Sequence, residues 1–345
     1  MNVFGFTLLR NGIKYDYSFR ECLGSLKPIC KSIYVAVGKS EDGTEEAVKE
    51  LEKIVIIDTV WNEELREGAL ILSQQTNIAL EALRADYKDE PESWGIYLQC
   101  DEVLHEEDYD LILEDLRKAE DSGCDSMTFR YLHFWMDHHH VAINKKWYPQ
   151  EIRAVKLNSR NESWGDAQGF RNGEKVYHSE ARVYHYGHVR EENKYKKKKA
   201  DIMLLYHQDD KLAKYKRREK RYDNATETLL YFGKHPEIMK ERIMRFQDPW
   251  TLSAVAKVHI VGEEKNFDPE FINRINSDEI VWCRSIKEVP KSERQKTVIL
   301  EPKLMDKLIH RSDVPVRMKS KIARDWSPEF LLTMKLSERL IGLKG

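Results

Sequence analysis

The sequence predicts an α/β protein built on a mainly parallel β-sheet that helices cover on both faces. Three observations in the first hundred residues favour this class. Four apolar runs of strand type alternate with segments of helical periodicity: residues 3–9, 32–38, 54–61 and 94–100. The runs are nearly continuous in apolar residues, which is typical of strands buried on both faces. The intervening segments are long enough for the crossover helices that parallel pairing requires.

The helical segments follow from spacing and from acidic first turns. After the first strand, Phe19, Cys22, Leu23 and Leu26 recur at helical intervals. The segment "SEDGTEE" after the second strand combines a turn with an acid-rich start, and predicts a helix that runs to about Glu52. A third helix is expected over residues 65–85.

The pattern changes after residue 124. Longer strands are expected at residues 124–135, 151–157 and 181–189, followed by a basic helical stretch over 191–232. Further strand-like segments come after residue 246, and an amphipathic helix is expected over 327–343. We therefore predict a main domain over residues 1–245 and an accessory region over 246–345, either α/β or helical.

Composition limits the protein class without assigning a reaction. Hydrophobic residues make up 41% of the chain, charged residues make up 34%, and the net charge is −2. Such a chain is expected to fold, and its overall charge favours no nucleic-acid partner. The five cysteines show no CxxC pair, and no window approaches the ~18 apolar residues that span a bilayer. These features predict a cytoplasmic protein.

Two adjacent carboxylates, Asp101 and Glu102, follow the fourth apolar run. In open parallel sheets, ligands bind at the carboxyl ends of the strands, which makes this position a candidate site. The alternative is that the pair only caps the next helix. Because Glu106, Glu107 and Asp108 already serve that purpose, we favour a site.

Four motifs of the first 105 residues occur in a familiar order. They are "RN" at Arg10 and Asn11, "ECLGSL" at 21–26, "SEDGT" at 40–44 and "QCDE" at 99–102. In this order the sequence resembles the family 2-like inverting glycosyltransferases of the GT-A fold. Three later motifs are similar to a bacterial subgroup of that family: "WYPQEIR" at 147–153, "GDAQGFR" at 165–171 and "HYGHVR" at 185–190.

The resemblance implies a Rossmann-like GT-A domain with a nucleotide-binding half at about 1–105 and an acceptor half at about 106–245. It implies a hexosyltransferase-type enzyme of surface polysaccharide synthesis, with a UDP- or GDP-sugar as donor and a saccharide or lipid-linked acceptor. Because the departing diphosphate gains negative charge, such an enzyme needs a positioned cation, here Mn²⁺ or Mg²⁺.

The resemblance also implies roles for individual residues. Asp101 and His185 are the expected metal ligands, although His185 could equally be an ordinary strand histidine. Asp166 is the expected catalytic base, with an ordinary turn aspartate as the alternative. Glu102 is the expected second carboxylate of the catalytic site, where it either supports the metal ligand or contacts the sugar. The expected contacts to the nucleotide and its phosphates are Arg10, Asn11, Ser40, Asp42, Asn77 and Arg190.

The sequence departs from the family pattern at two places. Gln99 stands where an aspartate is usual, and Val37 or Gly38 stands where an acidic residue commonly contacts the nucleotide. A non-catalytic protein that binds sugar nucleotides is therefore one alternative. A sugar-1-phosphate nucleotidyltransferase is another, but "FTLLRNGIKYD" lacks the glycine-rich loop that such enzymes usually carry after the first strand.

The segment 191–221 carries twelve Lys or Arg against six Asp or Glu. A solvated helix face is the ordinary interpretation of such a run. Attraction to an anionic membrane surface is a functional alternative, which would make the protein peripheral at the inner face of the membrane. The few interleaved aromatic residues make nucleic-acid binding the weaker alternative.

Overall fold

The structure is a computed structural model that describes residues 1–62, 65, 68–142, 147–189, 198, 201, 228–231, 233–246, 255–273, 277–285, 288–290 and 298–300. The strands are β1 Asn2–Leu9, β2 Ile33–Gly38, β3 Ile54–Thr59, β4 Ser93–Tyr97, β5 Glu102–Leu104, β6 Ser126–Trp135, β7 His140–Ala142, β8 Gln150–Lys156, β9 Glu162–Trp164, β10 Gly169–Arg171, β11 Val176–His188, β12 Thr228–Leu230, β13 Val255–Val261, β14 Ser277–Cys283 and β15 Val298–Leu300. The helices are α1 Phe19–Leu26, α2 Thr44–Lys49, α3 Leu70–Tyr87, α4 Tyr109–Asp121, α5 Lys240–Arg245 and α6 Pro269–Asn273.

The chain divides into two units. Unit 1 comprises residues 1–136, 148–224 and 236–241, and unit 2 comprises residues 137–147, 225–235 and 242–345. Unit 1 contains a mixed sheet in the strand order β6-β8-β4-β1-β2-β3, in which β4, β1, β2 and β3 are parallel and β1 lies between β4 and β2. The remaining members are antiparallel β8, β11 parallel to β6, and β5 antiparallel to β11. The predicted mixed, mainly parallel α/β sheet is confirmed.

Helices cover both faces of this sheet because neighbouring strand residues alternate in direction. Val3 of β1 packs in one core cluster with residues from α1, α2 and α4, whereas Phe4 packs with α3 on the other face. The strands β2 and β4 are buried along their whole length, as their apolar runs predict. The predicted apolar stripe of α1 is also buried in full.

Unit 2 contains a three-stranded parallel sheet in the order β14-β13-β15, and β7 pairs antiparallel with β12. The helix α6 lies between β13 and β14 in the chain, so the described part of this unit contains both helix and strand. The amphipathic helix expected over 327–343 lies outside the described residues.

Three local predictions differ from the structure. The third helix begins at Leu70, because Gly68 and Ala69 have φ values of 61° and 55°, a left-handed backbone that cannot continue into an α-helix. The fourth strand ends at Tyr97, three residues before the end of its apolar run, and Asp101 lies in the turn that follows. Of the predicted helical stretch over 191–232, the described residues 228–230 form the strand β12.

The five cysteines are unbonded and buried, as expected from their spacing. In the part of the chain that the structure describes, every helix is too short or too polar to cross a lipid bilayer.

Candidate functional site

The loops that follow β1 and β2 are joined at the carboxyl edge of the parallel strands. Asn11 has a φ of 52°, which turns the chain directly after β1. Its backbone N–H donates to Ser40 Oγ at 3.0 Å, and its side-chain oxygen accepts from the Glu41 N–H at 3.2 Å. These bonds connect the "RN" and "SEDGT" motifs in space, although about thirty residues separate them in sequence.

Asp42 stabilises the same pair of loops. Its carboxylate accepts from the Lys14 N–H at 2.6 Å and from the Thr44 N–H and hydroxyl at 3.1 and 2.6 Å. Burial acts to raise the pKa of Asp42, but these hydrogen bonds outweigh it and hold the pKa below its usual value. Arg10 lies beside them, where its Nε donates to the Lys39 carbonyl at 3.3 Å and its guanidinium lies 5.3 Å from the Trp61 ring centroid.

The turn after β4 positions Asp101 at the next strand end. The Glu102 N–H donates to the Gln99 carbonyl at 2.8 Å, which closes the turn, and the Tyr186 N–H donates to the Asp101 carbonyl at 2.8 Å. The Asp101 side chain is 8% exposed. Asp101 is thus held between the end of β4 and the end of β11.

Four residues of unit 1 form what we call the Asp101 cluster: Asp101, His185, Gly187 and Lys198. Asp101 Oδ1 lies 3.8 Å from His185 Nε2, and Asp101 Oδ2 lies 3.0 Å from Lys198 Nζ. Lys198 Nζ also donates to the Gly187 carbonyl at 3.3 Å and lies 4.5 Å from the Tyr17 ring centroid. The Asp101 carboxylate therefore lies between the Lys198 ammonium group and the His185 imidazole.

Hydrogen-bond partners determine which His185 nitrogen carries the proton. His133 Nε2 lies 2.8 Å from the Tyr148 carbonyl, which can only accept, so this nitrogen carries hydrogen. In a neutral ring His133 Nδ1 then accepts from His185 Nδ1 at 2.9 Å. Burial lowers the pKa of His185, which agrees with a neutral ring. The lone pair of His185 Nε2 therefore points toward the Asp101 carboxylate.

This donor set fits a divalent cation. Carboxylate oxygen and imidazole nitrogen both suit Mn²⁺, and the relay through His133 is the kind of outer contact that orients a metal-binding histidine. Only glycine fits at position 187, since a Cβ there would clash with His185 Nε2 and lie 2.9 Å from Asp101 Oδ2. Within the described residues no group of three His, Cys, Asp or Glu side chains that could hold a metal ion is found.

Glu102 has a different environment from its neighbour. It begins β5, is fully buried, and forms what we call the Arg153 cluster with Arg153, Tyr97 and Tyr131. Arg153 donates to both Glu102 oxygens at 3.0 and 3.1 Å, the Tyr131 hydroxyl donates to Oε1 at 2.7 Å, and the Gln99 N–H donates to Oε2 at 2.9 Å. These contacts favour a buried counter-ion over the predicted catalytic carboxylate.

The guanidinium of Arg153 lies between two aromatic rings in the same cluster. Its central carbon is 5.3 Å from the Tyr97 ring centroid and 5.0 Å from that of Tyr131. Burial alone would lower the pKa of Arg153, but the Glu102 carboxylate raises it well above its usual value. Arg153 is therefore held in its charged form beside Glu102.

Asp166 lies in the turn between β9 and β10, and this turn packs against the same strand ends. The Ala167 carbonyl accepts from Gln99 Nε2 at 3.2 Å, and the Gln168 carbonyl accepts from Arg153 Nη1 at 2.7 Å. Ala167 has a φ of 62°, as expected of a tight turn. Nearby, burial raises the pKa of Glu151, opposed by a hydrogen bond from Gln168 and reinforced by the charge of Asp166. The Asp166 carboxylate therefore lies close enough to Glu151 for its charge to affect the pKa of Glu151.

Asn77 was predicted to contact the nucleotide, but its side chain bonds the protein backbone. Its amide pairs with the backbone of Ser163 in both directions, accepting from the N–H at 2.8 Å and donating to the carbonyl at 2.9 Å. This arrangement attaches α3 to β9, and so stabilises the hairpin that carries Asp166. Arg190 lies outside the described residues.

The sequence analysis missed three residues of this region. His133 is recognisable only as a histidine within an apolar strand, and its partnership with His185 follows from the pairing of β6 with β11, where the two residues are in register. Lys198 is one of four consecutive lysines, and nothing in that run distinguishes it. Glu151 carries no signal beyond its place in the "WYPQEIR" motif.

No protein-family model matches the sequence, and no curated protein sequence matches it. Among solved structures, the chain is similar to TarS of S. aureus, with 10% identity, a TM-score of 0.36, and coverage of 59% of this chain and 39% of TarS. TarS 1–349 in complex with UDP gives 13% identity, a TM-score of 0.34, and coverage of 59% and 64%.

HddC from Yersinia pseudotuberculosis gives 14% identity and a TM-score of 0.33, over 57% of this chain and 97% of HddC. The chain thus spans less than two thirds of the length of TarS. At these identities and scores the similarity carries no conclusion about the reaction. The α/β assignment rests on the strand order and connections described above.

Proposed function

We propose that the chain is a metal-dependent glycosyltransferase that moves a sugar from a nucleotide-sugar donor to a saccharide or lipid-linked acceptor hydroxyl, with inversion. The observation that carries this proposal is that the Asp101 carboxylate lies 3.8 Å from His185 Nε2 at the edge where β1, β2 and β4 end. Ligands of open α/β sheets bind at this edge.

Asp101 and His185 would hold Mn²⁺ or Mg²⁺ together with the donor diphosphate. The ion would supply positive charge that offsets the charge developing on the leaving group. His133 keeps the Nε2 lone pair of His185 directed toward the site. The joined loops that contain Asn11 and Ser40 border this edge and are the proposed walls of the nucleotide pocket.

Asp166 is the proposed base that takes the proton from the acceptor hydroxyl as it attacks the sugar. The turn that contains Asp166 packs on Gln99, two residues before Asp101, which supports a position near the reacting centre. Glu151 is the nearest competitor for this role, because its raised pKa is a common property of catalytic carboxylates.

Calorimetry tests the binding half of the proposal. UDP and GDP are titrated into the wild type and Asp101→Asn, with and without Mn²⁺. We expect one nucleotide to bind the wild type only in Mn²⁺, and Asp101→Asn to bind neither while it still melts cooperatively. The matched control is Asp110→Asn, which makes the same change at an exposed position in the first turn of α4. Metal-dependent binding that survives in Asp101→Asn would contradict the metal role.

A screen of nucleotide sugars tests the reaction itself. Release of nucleoside diphosphate with an inverted product anomer, assigned by NMR, is the expected result, whereas release of pyrophosphate would instead indicate nucleotidyl transfer. Asp166→Asn should keep donor binding and lose transfer by about 100-fold or more, as expected for removal of a general base. If Glu151→Gln loses transfer and Asp166→Asn does not, the base assignment is wrong.

A further inference from the structure

Lys198 occupies the position where a divalent cation would contact Asp101. Its ammonium group is 3.0 Å from Asp101 Oδ2 and 3.3 Å from the Gly187 carbonyl, and it lies over the Tyr17 ring. Its side chain is only 12% exposed. The carboxylate and carbonyl oxygens that the ammonium group contacts are also the kind of ligand that a hard divalent cation takes.

A second contact holds the backbone that carries Lys198. Three residues further along the chain, Asp201 accepts from the Tyr15 hydroxyl at 2.7 Å, and Lys14 Nζ lies 3.7 Å from the same carboxylate oxygen. Both contacts are made to the loop after β1. The position of Lys198 is thus determined from two sides, by Asp101 and by the Tyr15–Asp201 contact.

The charges of these contacts are balanced. The ammonium groups of Lys14 and Lys198 are matched by the carboxylates of Asp101 and Asp201. Since a diphosphate brings at least two negative charges into a partly buried site, these four groups together supply no net attraction for it. Exchange of the ammonium for a divalent ion at Asp101 would supply that attraction.

We propose that Lys198 is a tethered cation that competes with the divalent ion for the Asp101 carboxylate. Without donor, its ammonium group neutralises Asp101 and stabilises the buried carboxylate. Metal and donor bind by displacing the ammonium group from Oδ2. The affinity of the site for metal therefore reflects the cost of breaking the Lys198 contact. This inference rests on the metal role of Asp101 in the proposed function.

The test measures Mn²⁺ binding by electron paramagnetic resonance of the free ion, in the absence of nucleotide and then with UDP or GDP. Lys198→Met removes the charge and keeps an unbranched chain that can still lie on Tyr17. We expect its dissociation constant for Mn²⁺ to fall about tenfold or more, because the ion no longer displaces a charge-assisted hydrogen bond. Lys118→Met is the matched control, since it removes a lysine from an exposed position of α4 and should leave Mn²⁺ affinity unchanged.

A second variant keeps the test valid if Lys198→Met does not fold. Tyr15→Phe removes only the hydroxyl that binds Asp201, so it loosens the second contact and leaves Asp101 intact. Its dissociation constant for Mn²⁺ should also fall, by less than that of Lys198→Met. Unchanged Mn²⁺ affinity in Tyr15→Phe would overturn the proposal in that case.

The outcomes separate this inference from the proposed function. If wild type and Lys198→Met bind Mn²⁺ equally well, the competition is wrong and the metal role survives. Weaker binding of Mn²⁺ or nucleotide in Lys198→Met would also overturn the competition, because Lys198 would then support the ligand. If neither the wild type nor Lys198→Met binds Mn²⁺ with either nucleotide, the proposed function is wrong, and this inference falls with it.

Discussion

Asp101 and Glu102 are adjacent in the sequence, yet the Asp101 cluster and the Arg153 cluster have opposite character. Asp101 lies between a lysine and an imidazole, and only glycine fits at position 187 beside it. The oxygens of Glu102 receive four donated hydrogen bonds in the core, including two from Arg153. The two neighbouring carboxylates therefore differ in role: Asp101 lies in the proposed site, and Glu102 stabilises the turn that positions Asp101.

The largest expected effect is a loss of stability when Glu102 of the Arg153 cluster is replaced. Glu102→Gln should destabilise the protein by about 3–5 kcal/mol, because it leaves the fully buried Arg153 without its counter-ion. Urea denaturation measures this loss. The double variant Glu102→Leu with Arg153→Met should recover much of it, since replacing a buried pair with apolar residues is often nearly neutral. A loss below about 1 kcal/mol in Glu102→Gln would mean that the two clusters do not differ as described.

An intermediate effect is expected at His133, which contacts both clusters. Its ring stacks on Tyr131 with centroids 5.0 Å apart, and its Nδ1 accepts from His185. His133→Phe keeps a ring in place but removes the relay that orients His185. Mn²⁺ affinity should fall about 10–100-fold, the usual cost of losing such an outer contact.

The control for that experiment is another histidine of the same strand pair. His178 of β11 bonds Thr128 of β6 at 2.9 Å, outside both clusters, so His178→Phe should leave Mn²⁺ affinity unchanged. Equal affinities in His133→Phe and the wild type would show that the orientation of His185 does not depend on the relay.

The smallest expected effect is at Asn77, which stabilises the hairpin next to both clusters. Asn77→Ala removes two hydrogen bonds to Ser163 and should cost about 1–2 kcal/mol of unfolding free energy, measured by urea denaturation. Asn273→Ala, at an exposed position of α6, is the control and should change little. If Asn77→Ala instead weakens nucleotide binding at unchanged stability, the predicted contact with the donor is correct and the structural role is not.

Prediction from sequence succeeded where one short segment carries the signal. The apolar stripe of α1 and the continuous apolar run of β2 were recognisable because their burial repeats with the period of the local backbone. The start of α3 was missed because a left-handed pair at Gly68 and Ala69 breaks the pattern without an apolar signature. The sequence did not indicate that Asn77 bonds β9, because Ser163 of that strand lies 86 positions away.

The parallel α/β sheet and the position of Asp101 just beyond β4 were predictable from sequence, since both follow from local periodicity. Only the folded chain distinguishes the environments of the two carboxylates. Arg153 pairs with Glu102, which is 51 positions away in sequence, and Lys198 bonds Asp101, which is 97 positions away. The pairing of β6 with β11 places His133 beside His185. The physical reason is that charge neutralisation and proton placement depend on which groups meet in the fold, and no local pattern records those meetings.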